Sequence, residues 1–236
     1  ELQFPWKKKT TFSRFPSLEM EAFALDTNTG SDIYHALGLK ESKGALGVPR
    51  VLSLFSSLLE RSVHRNDDLL GTSKIKDVIT VFHGLRAPSL SITEYMDRIF
   101  KYAGCSPSCF VVAYIYVDRY LRQTDVCLTS LNVHRLLITS VLVAAKFIDD
   151  AFFNNTYYAK VGGISRIEMN TLEVKFLFSL NFRLQVTVDT FRWYCSLLEL
   201  EAPGGMQIER RFIHACRINE TLSSKDDAPC SSTTAR

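Results

Sequence analysis

Between Ser108 and Val161 the chain has neither glycine nor proline, and after Gly162-Gly163 neither recurs until Pro203. Stretches this long without punctuation exclude many short strands joined by tight turns and favour helices. Cysteine is sparse, six in 236 residues with no CxxC pair, which excludes a disulfide scaffold, a zinc ribbon and a thioredoxin-type site. Cys105 and Cys109 lie four apart without a nearby His to complete a metal set, so the thiols are expected to be buried or idle in a reducing compartment. Neither sign of charge prevails: Lys plus Arg number 28 and Asp plus Glu 25, too even for a chain whose main task is gripping phosphate backbones. The longest apolar run, Leu136 to Ile148, is broken by Thr139, Ser140 and Lys146 and falls short of the roughly 20 residues that a membrane span needs. HExxH, GxSxG, GxxxxGK[ST] and GxGxxG are all missing, and the five histidines are scattered. No enzyme motif and no cofactor, metal or phosphate site is therefore expected. No apolar segment follows Lys7-Lys-Lys9 as a secretory signal would require. The expectation is an intracellular chain, in the nucleus, the cytoplasm or both.

What is present is material for one sizeable core. Apolar residues make up 46% and charged residues 22%, ordinary globular usage. Pro5, Pro16, Gly30, Gly38, Gly44, Gly47 and Pro49 crowd the first fifty residues, and from Ala202 the chain turns polar and ends in Ser-Ser-Thr-Thr-Ala-Arg. These shifts divide it into a variable, disordered segment 1–50, a helical domain 51–200 and a polar tail 201–236, with small accessory helices left open as the alternative at either end.

Caps mark the helices within the domain. Val51–Arg61 alternates Leu54, Phe55, Leu58 and Leu59 with Ser and Glu, as an amphipathic helix does. Ser91-Ile-Thr-Glu94 and Ser165-Arg-Ile-Glu168 fit capping boxes, opening helices to about Gly104 and Leu180. Ser106-Pro107 opens another to about Gln123, although Phe110–Val117 alone would pass as a buried strand. Ser130 or Asn132 starts a helix to about Asp149, and Thr187 starts the last. The Asn132–Asp149 helix is apolar on nearly every side, which belongs at the centre of a bundle. The fold expected is all-α: one helix in the middle, four or more around it, and a preceding N-terminal helix.

One ordered set of residues goes further. Val117-Asp-Arg-Tyr-Leu121, Leu142-Val-Ala-Ala-Lys-Phe147 with Asp149-Asp150, Tyr157-Tyr-Ala-Lys-Val161, and Met169-Asn-Thr-Leu-Glu-Val-Lys-Phe-Leu177 closing on Leu180-Asn-Phe182 follow one another along the chain. In order and spacing they resemble the cyclin box, over roughly Val51 to Glu199. Leu58-Leu-Glu-Arg61, Lys101-Tyr102 with Cys105-Ser-Pro-Ser-Cys-Phe110, and Glu168-Met-Asn-Thr-Leu-Glu173 are similar to the plant P-type or U-type cyclins, relatives of the yeast phosphate-responsive cyclin. The resemblance implies a five-helix box around a central helix. It also implies a regulatory subunit that binds and activates a cyclin-dependent protein kinase, in cell-cycle or nutrient-linked control of division, without catalysis of its own.

The same resemblance assigns roles. Lys146 would bind backbone carbonyls of the kinase near its helix C, beside Phe147, although by itself it also reads as a last-turn lysine complementing the helix dipole. The glutamate that usually accompanies this lysine is replaced by Asn170. Glu173, three residues on and roughly on the same face, is then the expected acidic contact, since Glu168 is committed to its capping box. Asn170 could itself hydrogen-bond the kinase backbone. Asp118 would pair with Arg98 to fix one helix against another. Met96-Asp-Arg-Ile-Phe100 echoes a substrate-docking motif only faintly, and no docking patch is assigned. Phe152, Phe153, Tyr157 and Tyr158 either pack beneath a loop or anchor a partner, and both readings stand open.

Two rival functions remain. A cyclin fold that contacts DNA needs a basic surface, and residues 51–200 carry only sixteen basic against fourteen acidic residues. A helical scaffold that binds partners without activating a kinase is kept open by Asn170. Nucleic acid, a membrane and a small-molecule ligand are not expected as partners.

Overall fold

The computed structural model describes residues 29–39, 47–72 and 77–200. Among them eight helices and no strands appear, an all-α fold: α1 Thr29–Ala36, α2 Arg50–Gly71, α3 Ile92–Ala103, α4 Pro107–Gln123, α5 Val133–Ile148, α6 Asn155–Gly162, α7 Arg166–Ser179 and α8 Val188–Leu200. Helix α5 lies in the middle, packed against α3, α4, α6 and α7. Helix α8, which from its position in the sequence could belong to that ring, packs instead on α1, α2 and α4.

Burial explains the arrangement. From Leu136 to Ala145 every residue of α5 is buried, including Thr139 and Ser140. Those two hydroxyls donate back to the carbonyls of Arg135 and Leu137, so each is satisfied within the helix. The strand-like Phe110–Val117 segment forms the interior of α4 and is buried throughout. Its β-branched residues suit a helix enclosed on all sides, where packing outweighs propensity.

Several expected caps take another form. Ser91 and Glu94 close a complete capping box at α3. At α7 only half forms: Ser165 Oγ accepts from the Glu168 N–H at 3.0 Å, but the Glu168 carboxylate turns to Arg135 Nε, 2.6 Å away on α5. The guanidinium is a charged donor, and it outcompetes the neutral backbone N–H. Ser106 does not cap α4 with its side chain. It accompanies Asp149 from the end of α5, whose carboxylate takes hydrogen bonds from Ser106 N–H at 2.9 Å, Ser106 Oγ at 2.7 Å and Cys109 Sγ at 3.0 Å. A carboxylate borrowed from the neighbouring helix therefore complements the positive end of α4.

One helix stood open beforehand and one was not foreseen. Helix α1 lies within segment 1–50, read as a disordered arm with small accessory helices as the alternative, and Leu37 just beyond it is buried in the core. Helix α6 fills the interval between α5 and α7: Asn154 caps it by accepting the Tyr157 N–H at 3.0 Å, and Gly163 ends it at φ 70°. That left-handed conformation suits glycine. Gly162 sits where a Cβ would come within 3.0 Å of Ile138, so α6 approaches α5 closely. The rest of segment 1–50 and the tail 201–236 lie outside the described residues.

Candidate functional site

Lys146 occupies the last turn of α5, after the buried residues Val141–Ala145. Its amine reaches outward to two other helices. Lys146 Nζ lies 2.7 Å from Glu173 Oε1 on α7 and 2.7 Å from Asn155 Oδ1 at the start of α6. Asn155 Nδ2 donates in turn to Glu173 Oε2 at 2.6 Å and to Asn170 Oδ1 at 2.8 Å. Four side chains from three helices thus close a polar ring. The Lys146 and Glu173 side chains keep 30% and 15% of their exposure, so the ion pair is half-desolvated and still reachable. Lys146 uses two of its three N–H donors here.

The core-facing positions of α7 explain the register. Met169, Leu172 and Phe176 are buried, which turns Asn170 and Val174 outward and leaves Glu173 at the edge facing α5 and α6. Of the residues expected at a partner face, the structure brings Lys146, Asn170 and Glu173 together and leaves Phe147 beside them, 48% exposed. Asn155 was missed. Its only sequence signal is the Asn154-Asn155 pair eight residues before Gly162-Gly163, a cap and a stop for a short helix.

Several apolar side chains on the same elements and on the loop after α5 are exposed as well. Ile148, Phe152 and Phe153 are exposed, and the Phe153 ring stacks on Tyr157 at 4.0 Å. Tyr158 is fully buried, so the aromatic cluster divides between core and surface. Along α7, exposed Val174 follows Asn170 by four residues, and Phe178 and Phe182 continue the same spacing. Asn181 and Phe182 both have left-handed backbones, φ 50° and 55°, rare for a residue with a bulky side chain. This turn sets the exposed Phe182 ring against Phe178, centroids 5.2 Å apart. Apolar residues at four-residue spacing beside a complete core stripe were the available signal for this second face.

Arg98 and Asp118 do not meet. Helix α3 packs on α2, α5 and α6, and Arg98 donates to the Lys160 carbonyl at the end of α6, 3.3 Å away. Buried Asp118 instead accepts from Arg122 Nε at 2.7 Å, one turn along α4, and from the Tyr194 hydroxyl of α8. The i,i+4 arginine is nearer than any on α3, and α8 supplies the rest. Burial, then the Asp118 carboxylate, push the Tyr194 hydroxyl far above its usual range, so it remains a donor.

Other residues resolve as scaffold. Met96 and Ile99 are fully buried, so the Met96–Phe100 segment presents no apolar patch. His134 is half-buried; its Nε2 meets the Leu90 carbonyl at 2.9 Å, and burial lowers its pKa. His83 Nε2 lies 2.9 Å from Asp77 Oδ2 and 3.0 Å from Asn132 Nδ2, pinning the segment before α3 to the start of α5. Cys105, Cys109 and Cys195 are free and buried. A hydrogen bond with Cys105, then burial, push the Cys109 thiol strongly upward, and burial pushes Cys195 up to about 12. Cys127 is fully buried. Among the described residues no three His, Cys, Asp or Glu side chains converge as a metal site, and no helix is long and apolar enough to cross a membrane.

The family model for cyclins matches residues 49–184. The chain belongs to the cyclin family. Among its relatives, this cyclin is 52% identical to Cyclin-P3-1 of Oryza sativa subsp. japonica over 221 residues, covering 90% of the chain and 93% of the relative. It is 50% identical to Cyclin-U3-1 of Arabidopsis thaliana, covering 87% and 95% respectively, and 46% identical to Cyclin-P4-1 of Oryza sativa subsp. japonica, covering 81% and 92%. Membership implies that this cyclin has a role in regulating a cyclin-dependent kinase.

Proposed function

We propose that this cyclin is a regulatory subunit that binds and activates a cyclin-dependent protein kinase, in cell-cycle or nutrient-linked control of division. The observation that carries the reading is the half-desolvated Lys146–Glu173 pair, tied by Asn155 and Asn170 and bordered by exposed Phe147, Phe152, Phe153, Val174, Phe178 and Phe182. Charged hydrogen-bonding groups inside an apolar border suit a protein interface: the border excludes water and the polar centre sets register.

The mechanism follows from linkage. Lys146 donates its remaining N–H to carbonyls near the kinase's helix C, and the aromatic border covers that helix's apolar face. The kinase's catalytic Lys–Glu pair and metal-binding loop are in place only when helix C is inward. A subunit that binds the inward form about 100-fold more tightly shifts the equilibrium toward it by the same factor. Chemistry, ATP and magnesium belong to the kinase. Residence in the nucleus, the cytoplasm or both is part of this proposal, and imaging a fluorescent fusion checks it.

The deciding experiment titrates the purified cyclin into a cyclin-dependent kinase and records complex formation and phosphotransfer together. Binding with activation supports the proposal. Binding without activation favours the scaffold reading, which Asn170 in place of the expected glutamate keeps in view. Absence of binding to any cyclin-dependent kinase refutes the proposal and leaves the fold with partners of another kind.

A further inference from the structure

The polarity of the ring is determined from one end. The Lys146 ammonium can only donate, so the Asn155 atom 2.7 Å from it is the amide oxygen. Asn155 Nδ2 must then face the other way, where it donates to Glu173 Oε2 and to Asn170. The Asn170 atom that receives it is therefore Oδ1, and the Asn170 NH2 points out of the ring. Asn170 is exposed, and neither of its N–H groups has a partner among the described residues. Glu173 lies deeper, and each of its oxygens already accepts a hydrogen bond. The outer edge of the ring thus offers two N–H donors from Asn170 beside the remaining N–H of Lys146.

We infer that Asn170 is a specificity-determining residue held by Asn155 as a hydrogen-bond donor, so that the ring selects a kinase presenting an acceptor oxygen, a backbone carbonyl or a carboxylate, opposite Asn170. A partner with a lysine or arginine there meets donors with donors and is disfavoured, because unmatched polar groups at a desolvated contact cost more than a missing one. Asn155 acts through Asn170: it has no freedom to rotate its amide without setting an N–H against the lysine. The inference rests on the kinase-binding reading and adds which chemistry the kinase must show.

The test uses the full chain and a cyclin-dependent kinase that the wild type binds. Asn170→Ala removes the donors, and Asn170→Asp keeps the shape while turning an acceptor outward. Asn170→Ala is expected to raise Kd about tenfold, and Asn170→Asp about tenfold more, with unchanged melting temperature. Asn155→Ala should raise Kd about as much as Asn170→Ala, and the double variant no further, since both act through one hydrogen-bonding group. Lys146→Ala should still raise Kd in the Asn170→Asp background, but by less than in wild type, where it also frees the Asn155 amide that holds Asn170. Asn170→Asp binding as tightly as wild type, or more tightly than Asn170→Ala, overturns the donor assignment while the kinase-binding reading stands. A wild type that binds no cyclin-dependent kinase removes that reading and this inference with it.

Discussion

Replacing Lys146 with alanine separates the contribution of the ring to the fold from its contribution to binding. Within the free protein, the Lys146–Glu173 pair joins side chains that are 30% and 15% exposed. Water screens such a pair, so losing it should cost about 1 kcal/mol of stability, a fall of roughly 2–4 °C in Tm for a chain this size. Asn155 still donates to Glu173 and Asn170, so neither buried group is orphaned. In the proposed complex the same amine would be enclosed by the aromatic border and bonded to kinase carbonyls. A hydrogen bond from a charged donor in that setting is worth about 1.5–3 kcal/mol, or roughly a 10- to 150-fold rise in Kd. Glu173→Ala should weaken binding less, because Lys146 remains held by Asn155. The double variant should cost less than the sum of the two singles, since each acts on the same amine. Calorimetric titration gives the affinities and circular dichroism the melting points. A double variant that binds within threefold of wild type, with an intact helical spectrum, would refute the argument. So would a Lys146→Ala loss of binding matched by collapse of the fold, since the ring would then be structural.

Three further outcomes are expected. Asp118→Ala leaves buried Tyr194 and Arg122 without their acceptor and should cost about 3–5 kcal/mol in urea unfolding, whereas Arg98→Ala, which loses only a hydrogen bond to the Lys160 carbonyl, should cost about 1 kcal/mol or less; equal losses would restore an Arg98–Asp118 pairing. Burial raises the pKa of Tyr95, Tyr116, Tyr158 and Tyr194 and pushes Cys195 up to about 12. Stability from these groups is thus fully present below their unfolded pKa values and lost as pH rises, with a decline of about 1.4 kcal/mol per pH unit for each from about pH 9 for cysteine and about pH 10 for tyrosine; urea titrations giving constant stability from pH 8 to about 11 would contradict it. Phe182→Gly relieves a left-handed backbone and should leave stability unchanged or up to about 1 kcal/mol higher, while kinase affinity falls at least about fivefold; unchanged affinity would remove Phe182 from the interface.

How much of this was legible beforehand differs from residue to residue. The centre of the bundle was readable because Leu136–Ile148 lacks a polar face, and helix starts were readable where Ser, Glu and Pro stand at capping positions. Helix α6 was not, because eight residues beginning with paired asparagines look like a turn, and only packing on α5 and α7 makes them helical. Lys146 and Glu173 were recognisable through resemblance, but 27 residues of chain separate them, and no periodicity within one helix could have paired them. Asn155 lay in the unforeseen helix and so went unseen. The Arg98–Asp118 pairing failed for a related reason: residues are assigned to partners by which helices share a face, and α8, which supplies Tyr194, lies against α4 where α3 was expected. The second cap failed because Glu168 had a choice that its own helix does not reveal, the guanidinium of Arg135.

The shortness of α6 has a consequence for mimicry. A helix of eight residues has no stability of its own in water, and Asn155 holds its place only because Gly162 lets the helix seat against Ile138. Lys146, Asn155 and Glu173 therefore form a discontinuous epitope whose pieces lose their shape when excised. A stapled peptide copying α7 would carry Asn170, Glu173 and the aromatic stripe but neither the lysine nor the asparagine that orients them. An antagonist of this surface would have to reproduce parts of three helices at once, which favours a compact folded binder over a linear fragment.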